Sequence, residues 1–252
     1  MKISIITVCL NSEKTIADTL DSIGIQTFSD IEVIIVDGGS TDGTLLILEH
    51  YSSIIAKIIS GSDKGIYDAM NKGILASTGD IIGTLNSDDV LASPEILQEV
   101  HDRFLQSRAD CLYGDLLYVD QHNLLKTIRY WKAGLSTSKS FHYGWSPPHP
   151  TFYVKRQVFN ECGLYRLDIR VAADYEFMLR VMLKCAKTAT YLPLVMVKMR
   201  LGGISSAGLL SRKDSLKENR ISWKKNRLSP FLLTPHFKMV RKIFQYVYKN
   251  PD

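Results

Sequence analysis

The chain opens on an apolar, β-branched run, Ile3–Val8, and then alternates between two hydrophobic periods. A run of this kind reads as a strand buried on both faces. Residues 12–26 place Ile16, Leu20 and Ile23 at helical spacing, with Asn11 or Ser12 as the expected N-cap. Ile31–Val36 predicts a second strand and Asp42–Tyr51 a second helix. Ile54–Ser60 and Gly65–Ser77 predict the third strand and helix, and Asp80–Leu85 a fourth strand. Strands separated by helices of about ten residues form βαβ units, which predicts a parallel sheet covered on both faces.

Beyond residue 90 the rhythm changes. Ser93-Pro94-Glu95 predicts a helix start, since Ser caps, Pro suits the first turn and an acid suits the positive helix end. Residues 111–119 and 124–131 predict a hairpin across Asp120–Asn123. Residues 134–150 read as a loop ending in Pro147-Pro148-His149-Pro150. Ala172–Lys184 is predicted helical and Ala189–Met199 a strand. From 209 onward the pattern is helical and basic, broken at Ser229-Pro230.

Composition narrows the class. The chain has 252 residues, 45% hydrophobic and 23% charged, which excludes a disordered or fibrous protein. No apolar run reaches the roughly 18–20 residues that span a bilayer. The N-terminal apolar stretch is too short for a signal peptide, and Cys9, Cys111, Cys162 and Cys185 form no CxxC pair, so free thiols in a reducing cytoplasm are expected. Charge is asymmetric: residues 1–179 carry a net −8 and residues 180–252 a net +13.

Candidate chemistry lies just after the strands, because ligands of parallel α/β sheets bind at the carboxyl ends of the strands. Strand two is followed by Asp37-Gly38-Gly39-Ser40-Thr41-Asp42-Gly43, strand three by Ser62-Asp63-Lys64-Gly65, and strand four by Asn86-Ser87-Asp88-Asp89. Asp42 is expected to cap the next helix. Strand one leads into no GxGxxG, and no GxxxxGK[ST] occurs, which argues against NAD-linked and P-loop chemistry. Adjacent acids instead suit Mg²⁺ or Mn²⁺ bridging to a diphosphate, so a nucleoside-diphosphate ligand is coherent.

Residues Ile34–Thr44 (IIVDGGSTDGT), Asp63–Gly73 (DKGIYDAMNKG) and Leu85–Asp89 (LNSDD) together resemble the family 2 glycosyltransferases, inverting enzymes of the GT-A fold, in a branch found in bacterial surface-polysaccharide clusters. The resemblance covers roughly residues 1–200. It implies a Rossmann-like, mostly parallel sheet with helices on both faces. It also implies a catalytic domain over 1–208, with a nucleotide-binding half at 1–90 and an acceptor half at 91–208. The donor it implies is a nucleoside-diphosphate sugar, usually linked to uridine. Position by position, Asp37 would accept from the base, Asp63 would lie beside base and ribose, Asp88 would approach the ribose or metal, and Asp89 would ligate the metal. Asn86 stands where the common pattern has an acid. The acidic pair usual on the catalytic helix is reduced to Asp174 in Ala172-Ala173-Asp174-Tyr175-Glu176, and Asp174 is assigned as general base. His149 and Trp145 are candidates to face the acceptor, and Trp131 and Tyr143 are possible sugar platforms.

The expected activity is metal-dependent, inverting transfer of a sugar to a glycan or lipid-linked acceptor. A nucleotidyltransferase would need a Gly- and Lys/Arg-rich loop after strand one, which Val8–Ser12 lacks. A non-catalytic carbohydrate-binding or scaffold protein is the remaining class. In the basic tail, 209–252, Phe237, Val240, Phe244 and Val247 fall at helical spacing among Lys238, Arg241, Lys242 and Lys249. This pattern predicts peripheral association with an anionic surface on the cytoplasmic membrane face, or packing on protein. No nucleic-acid-binding motif accompanies the charge.

Overall fold

The computed structural model describes residues 1–202 and 209–247. Four strands build its first half: β1 (Ile3–Cys9), β2 (Ile31–Asp37), β3 (Ile55–Ser60) and β4 (Ile81–Thr84). They run parallel in the order β3-β2-β1-β4, crossed over by α1 (Ile16–Gly24), α2 (Thr44–His50) and α3 (Ile66–Ala76). Alternation along β1 sends Ile6 and Val8 into one core and Ile3, Ile5 and Cys9 into the other, so both faces are covered. The register Cys9↔Asp37↔Ser60 brings the carboxyl ends of β1, β2 and β3 to one edge.

The sheet then becomes mixed. β5 (Val90–Leu91) precedes α4 (Ile96–Ser107), and β6 (Cys111–Val119) and β7 (Thr127–Trp131) form the expected hairpin. β8 (Tyr153–Lys155) lies antiparallel between β4 and β6, and β9 (Ala189–Arg200) pairs parallel with β6 and antiparallel with β5. α5 (Arg156–Cys162) follows β8. α6 (Ala173–Leu179) continues as a wider π turn over Arg180–Lys184. The segment expected to be a loop holds two short 3-10 turns, Ser138–Tyr143 and His149–Thr151.

Two helix starts differ from expectation. α1 begins at Ile16 because Asn11 adopts a left-handed conformation (φ 51°) and spends its side-chain carbonyl on the Thr41 N–H, at 2.9 Å. α4 has no capping Ser93; Gln26 Oε1, from another part of the chain, accepts the Leu97 N–H at 3.0 Å. α2 has Gly43 at its N-cap position, and Asp42, expected as the cap, stands one residue earlier with its Oδ1 accepting the Thr44 N–H at 3.0 Å.

The boundary expected at residue 208 does not separate a free tail from a body. Trp223 of α7 (Leu209–Lys225) is buried in the same core as α6, and its indole N–H donates to the Tyr175 hydroxyl at 3.0 Å. α8 (Thr234–Val247) rests on the 138–143 turn, where the Thr234 hydroxyl donates to His142 O at 2.6 Å and Arg241 Nε to Tyr143 O at 3.1 Å. Gly144, at φ 69°, lets this contact close, since a Cβ there would overlap the backbone of Lys238. The side chains of Lys242, Phe244 and Val247 and all of Lys249 lie outside the described residues.

Candidate active site

The site is built at the carboxyl edge of β1–β4. Asp37 ends β2 fully buried. Its carboxylate accepts from the Gly39 N–H at 3.1 Å, the Ser40 N–H, the Ser40 hydroxyl, and the Ser60 hydroxyl at 2.7 Å. Burial by itself would raise this carboxyl; the Ser40 and Ser60 hydroxyls and the two amides outweigh burial and hold it below the usual range. In this structure the Asp37 carboxylate, expected from the resemblance to accept from the base, shapes the 38–40 turn.

Asp63 takes the outward position. It lies in the loop after β3, half-buried, with Oδ1 accepting the Gly65 N–H at 2.8 Å. Its Oδ2 lies 2.8 Å from where a Cβ on residue 38 would stand, so Gly38 leaves the room that Asp63 occupies.

The 86–89 turn is organised from within. Asp89 is 0% exposed; its Oδ2 accepts from Asn86 Nδ2 at 3.1 Å, and its backbone carbonyl accepts from the Thr19 hydroxyl at 2.8 Å. Burial, reinforced by the neighbouring Asp88 charge, pushes the Asp89 carboxyl well up. Asp88 is half-buried, and burial raises its carboxyl as well, against the pull of Arg200. Arg200, at the end of β9, donates to Asp88 O at 2.7 Å and pairs with Asp18. Of the two adjacent carboxylates, Asp88 reaches the surface, while Asp89, expected from the resemblance to ligate the metal, is enclosed.

A divalent cation fits this donor set. Asn86 Oδ1 and Asp89 Oδ1 are buried without a hydrogen-bond partner in the structure, beside a carboxylate that burial leaves undercompensated. Among the described residues no cluster of three or more His, Cys, Asp or Glu side chains is gathered as a cage. A site that shares its ion with substrate phosphates needs only one or two protein carboxylates.

Asp174 lies in the first turn of α6, half-buried. Tyr67, in the first turn of α3, donates its hydroxyl to Val171 O at 3.1 Å and to Asp174 Oδ1 at 3.3 Å. Burial, and next the Asp174 charge, raises the Tyr67 phenol far above its ordinary value, so it stays a proton donor. Glu176, two residues on, is sealed: it pairs with Arg180 at 3.0 Å and accepts from Asn226 Nδ2 at 2.9 Å. Glu218 of α7 accepts the N–H groups of Arg170, Val171 and Ala172 at 3.1, 2.7 and 2.9 Å, fixing the entry to α6. Tyr67 and Glu218 escaped the sequence reading. Tyr67 lies inside the DKGIYDAMNKG segment and could have been suspected there, whereas nothing in the sequence ties Glu218 to α6.

The two acceptor candidates, Trp145 and His149, are both buried. Trp145 is 4% exposed, donates Nε1–H to Ala133 O at 2.9 Å, and packs edge-on against Tyr113 and Phe141. His149 is buried, with Nε2 2.8 Å from the Tyr165 hydroxyl, and burial lowers its pKa against the weaker pull of Asp174. Trp131 is half-buried, stacked parallel to Tyr118 at 6.5 Å, and Tyr143 is exposed beside Phe237.

The profile described as "Glycosyl transferase family 2" matches residues 4–165. This chain belongs to glycosyltransferase family 2. It is 30% identical over 208 residues to a PGL/p-HBAD biosynthesis glycosyltransferase of Mycobacterium bovis, covering 81% of this chain and 78% of that protein. Its fold matches S. aureus TarS 1-349 in complex with UDP-GlcNAc at a TM-score of 0.69 and 21% identity, over 97% of this chain and 71% of that one. It also matches the mannosyltransferase PcManGT of Pyrobaculum calidifontis, in complex with GDP-Man and Mn²⁺, at a TM-score of 0.70 and 15% identity, over 95% and 69% of the two chains. The protein is a glycosyltransferase of the GT-A type.

Proposed function

We propose that this family 2 glycosyltransferase moves a sugar, with inversion, from a nucleoside-diphosphate donor to a glycan or lipid-linked acceptor in surface polysaccharide synthesis. The observation that carries the reading is the hydrogen bond from Tyr67 to Asp174, which ties the helix following the Asp63 loop to the helix bearing the base. Asp63 receives the base or ribose, seated by the turn that Asp37 organises. Asp88, supported by Asn86 and Asp89, holds Mg²⁺ or Mn²⁺. When bound, the ion neutralises charge on the departing diphosphate.

Asp174 accepts the proton of the attacking acceptor hydroxyl. The new bond forms between that oxygen and the anomeric carbon as the bond to the diphosphate oxygen breaks, the electron pair leaving with the diphosphate. A single displacement inverts the anomeric centre. In support, solved structures of similar fold hold UDP-GlcNAc in one case and GDP-Man with Mn²⁺ in another.

The deciding experiment incubates the protein with a panel of UDP- and GDP-sugars and acceptors, with and without Mn²⁺. Products are read by mass spectrometry and anomeric configuration by NMR. Release of a nucleotide other than a diphosphate, or a retained anomeric configuration, would overturn the reading.

We place peripheral membrane contact at an exposed apolar patch, Phe231, Leu232, Leu233, Phe237 and Val240, bordered by Lys238 and Arg241. No helix among the described residues is long and apolar enough to cross a membrane. Removing residues after 208 is a poor test because it strips Trp223 from the core. The triple change Leu232→Ser, Leu233→Ser, Phe237→Ser should instead abolish co-sedimentation with phosphatidylglycerol vesicles at low salt, and unchanged pelleting rules the patch out.

A further inference from the structure

A cleft of about 590 Å³ opens between β7, the 133–146 segment and α8. Its floor carries the parallel pair Tyr118 and Trp131, with the Arg129 guanidinium 3.6 Å over the Tyr118 ring. Lys132, Lys238 and Arg241 line its sides; among the described residues no carboxylate lines it, and that of Asp115 is buried behind Tyr130 and Ala133. The cleft is tied to the site already described through Tyr118: burial raises its phenol, and the charges of Asp89 and Asp174 add to that rise. Tyr118 precedes Val119, which pairs with Arg200, the residue that donates to Asp88 O. Lys238 lies 4.0 Å over the ring of Tyr175, the neighbour of Asp174. The cleft floor at Tyr118 therefore adjoins the carboxylates of the candidate site.

The lining selects the chemistry. Stacked aromatic faces suit the CH-rich face of a sugar ring. Lys132, Lys238 and Arg241 on the walls of the concavity raise the local concentration of anions and can meet phosphate oxygens through charge-assisted hydrogen bonds. Neither an uncharged glycan nor the transferred sugar calls for them. We propose that this cleft is the acceptor subsite, and that the acceptor is a phosphate-bearing glycan whose phosphate meets Lys132, Lys238 and Arg241. The proposal rests on the transferase reading and adds the acceptor's charge class to it. It also gives α8 a second task, as a wall of the acceptor site.

The phosphate could belong to a diphosphate joining the sugar to a lipid or to the glycan itself, and the test separates these from an anionic membrane. Calorimetry compares four probes on the full chain loaded with UDP and Mn²⁺: a monosaccharide joined by a diphosphate to a farnesyl chain, a monosaccharide 6-phosphate as its octyl glycoside, the unphosphorylated octyl glycoside, and phosphatidylglycerol vesicles. One or both phosphorylated probes should bind about tenfold tighter than the neutral glycoside, as hydrogen bonds to charged groups would give. Which of them gains identifies the source of the phosphate. The preference should shrink with added salt and disappear in the double variant Lys132→Gln, Arg241→Gln. Both positions are exposed, and because Arg241 Nε also donates to Tyr143 O, a thermal unfolding curve matching the wild type is required of the double variant before its binding is compared. Equal affinity for the neutral glycoside, a preference that survives the double variant, or binding of vesicles alone each overturns the proposal. Hydrolysis of a panel of sugar nucleotides by the wild type without acceptor is the separate control, whose failure would strike the transferase reading instead.

Discussion

Glu218 of α7 accepts the backbone N–H of Val171 at 2.7 Å, three residues before Asp174. A helix from the C-terminal region thus holds the entry to the helix that bears Asp174. Glu218→Ala leaves three backbone donors without this acceptor and should cost about 1–3 kcal/mol in urea unfolding. Turnover should fall while donor KM holds, since the donor side of the site is untouched. Glu218→Gln should be intermediate, because a single oxygen, Oε2, serves both Val171 and Ala172. An unchanged kcat in Glu218→Ala would remove Glu218 from any positioning role.

Asp174→Asn keeps the shape of the side chain and loses its basicity. Transfer should slow by about 10²-fold or more, the scale of losing a positioned base, with UDP affinity near wild type by calorimetry. A parallel loss of UDP binding would make Asp174 a donor-site residue.

Asp88 and Asp89 should respond differently to amide substitution. Asp88→Asn should abolish the gain in UDP affinity that Mn²⁺ gives, whereas Asp89→Asn should keep part of it, since Asp89 is enclosed and supports the turn. Titration of each variant with and without Mn²⁺ decides. The reverse ranking would return the metal to Asp89.

Gly38→Ala brings a methyl group to 2.8 Å from Asp63 Oδ2. The Asp63 side chain is a flexible end and will move aside, so the fold should survive with little change in melting temperature. Donor KM should rise several-fold while kcat changes less. An unchanged KM would show that the position of Asp63 does not matter to the donor.

The Glu32 carboxylate governs acid stability. Burial would raise it, but the Ser4 hydroxyl, the Thr78 N–H and hydroxyl, and Lys2 together bring it down to about 2. A folded-state value below the ordinary 4.5 means this stabilisation is complete above pH 4.5 and fades as pH falls toward 2. Glu32→Gln should lose about 2 kcal/mol at pH 7 and little near pH 2, measured by unfolding across that range. A constant difference at all pH values would exclude the titration.

The sequence by itself determined the βαβ half of this protein. Continuous apolar runs such as Ile3–Val8 and Ile31–Val36 are stable only inside a covered parallel sheet, and the Asp- and Gly-bearing loops after them fall at the ligand edge by the geometry of such a sheet. That Asp174 and Glu176 stand in different surroundings was also legible, because residues two apart on a helix face different ways. Tertiary structure alone decided which carboxylates are free to act. Asp37 and Asp63, like Asp88 and Asp89, carry the same chemistry in sequence, and only packing shows that one of each pair is enclosed by its own turn and the other is not. Likewise only the folded chain shows that the rings of Trp145 and His149 pack against Tyr113, Phe141 and Tyr165. The basic C-terminal segment reads as a tail because its partners are distant in sequence. Trp223 meets Tyr175 and Lys238 comes to rest against Gly144 only once the chain has folded, and no local pattern encodes contacts of that separation.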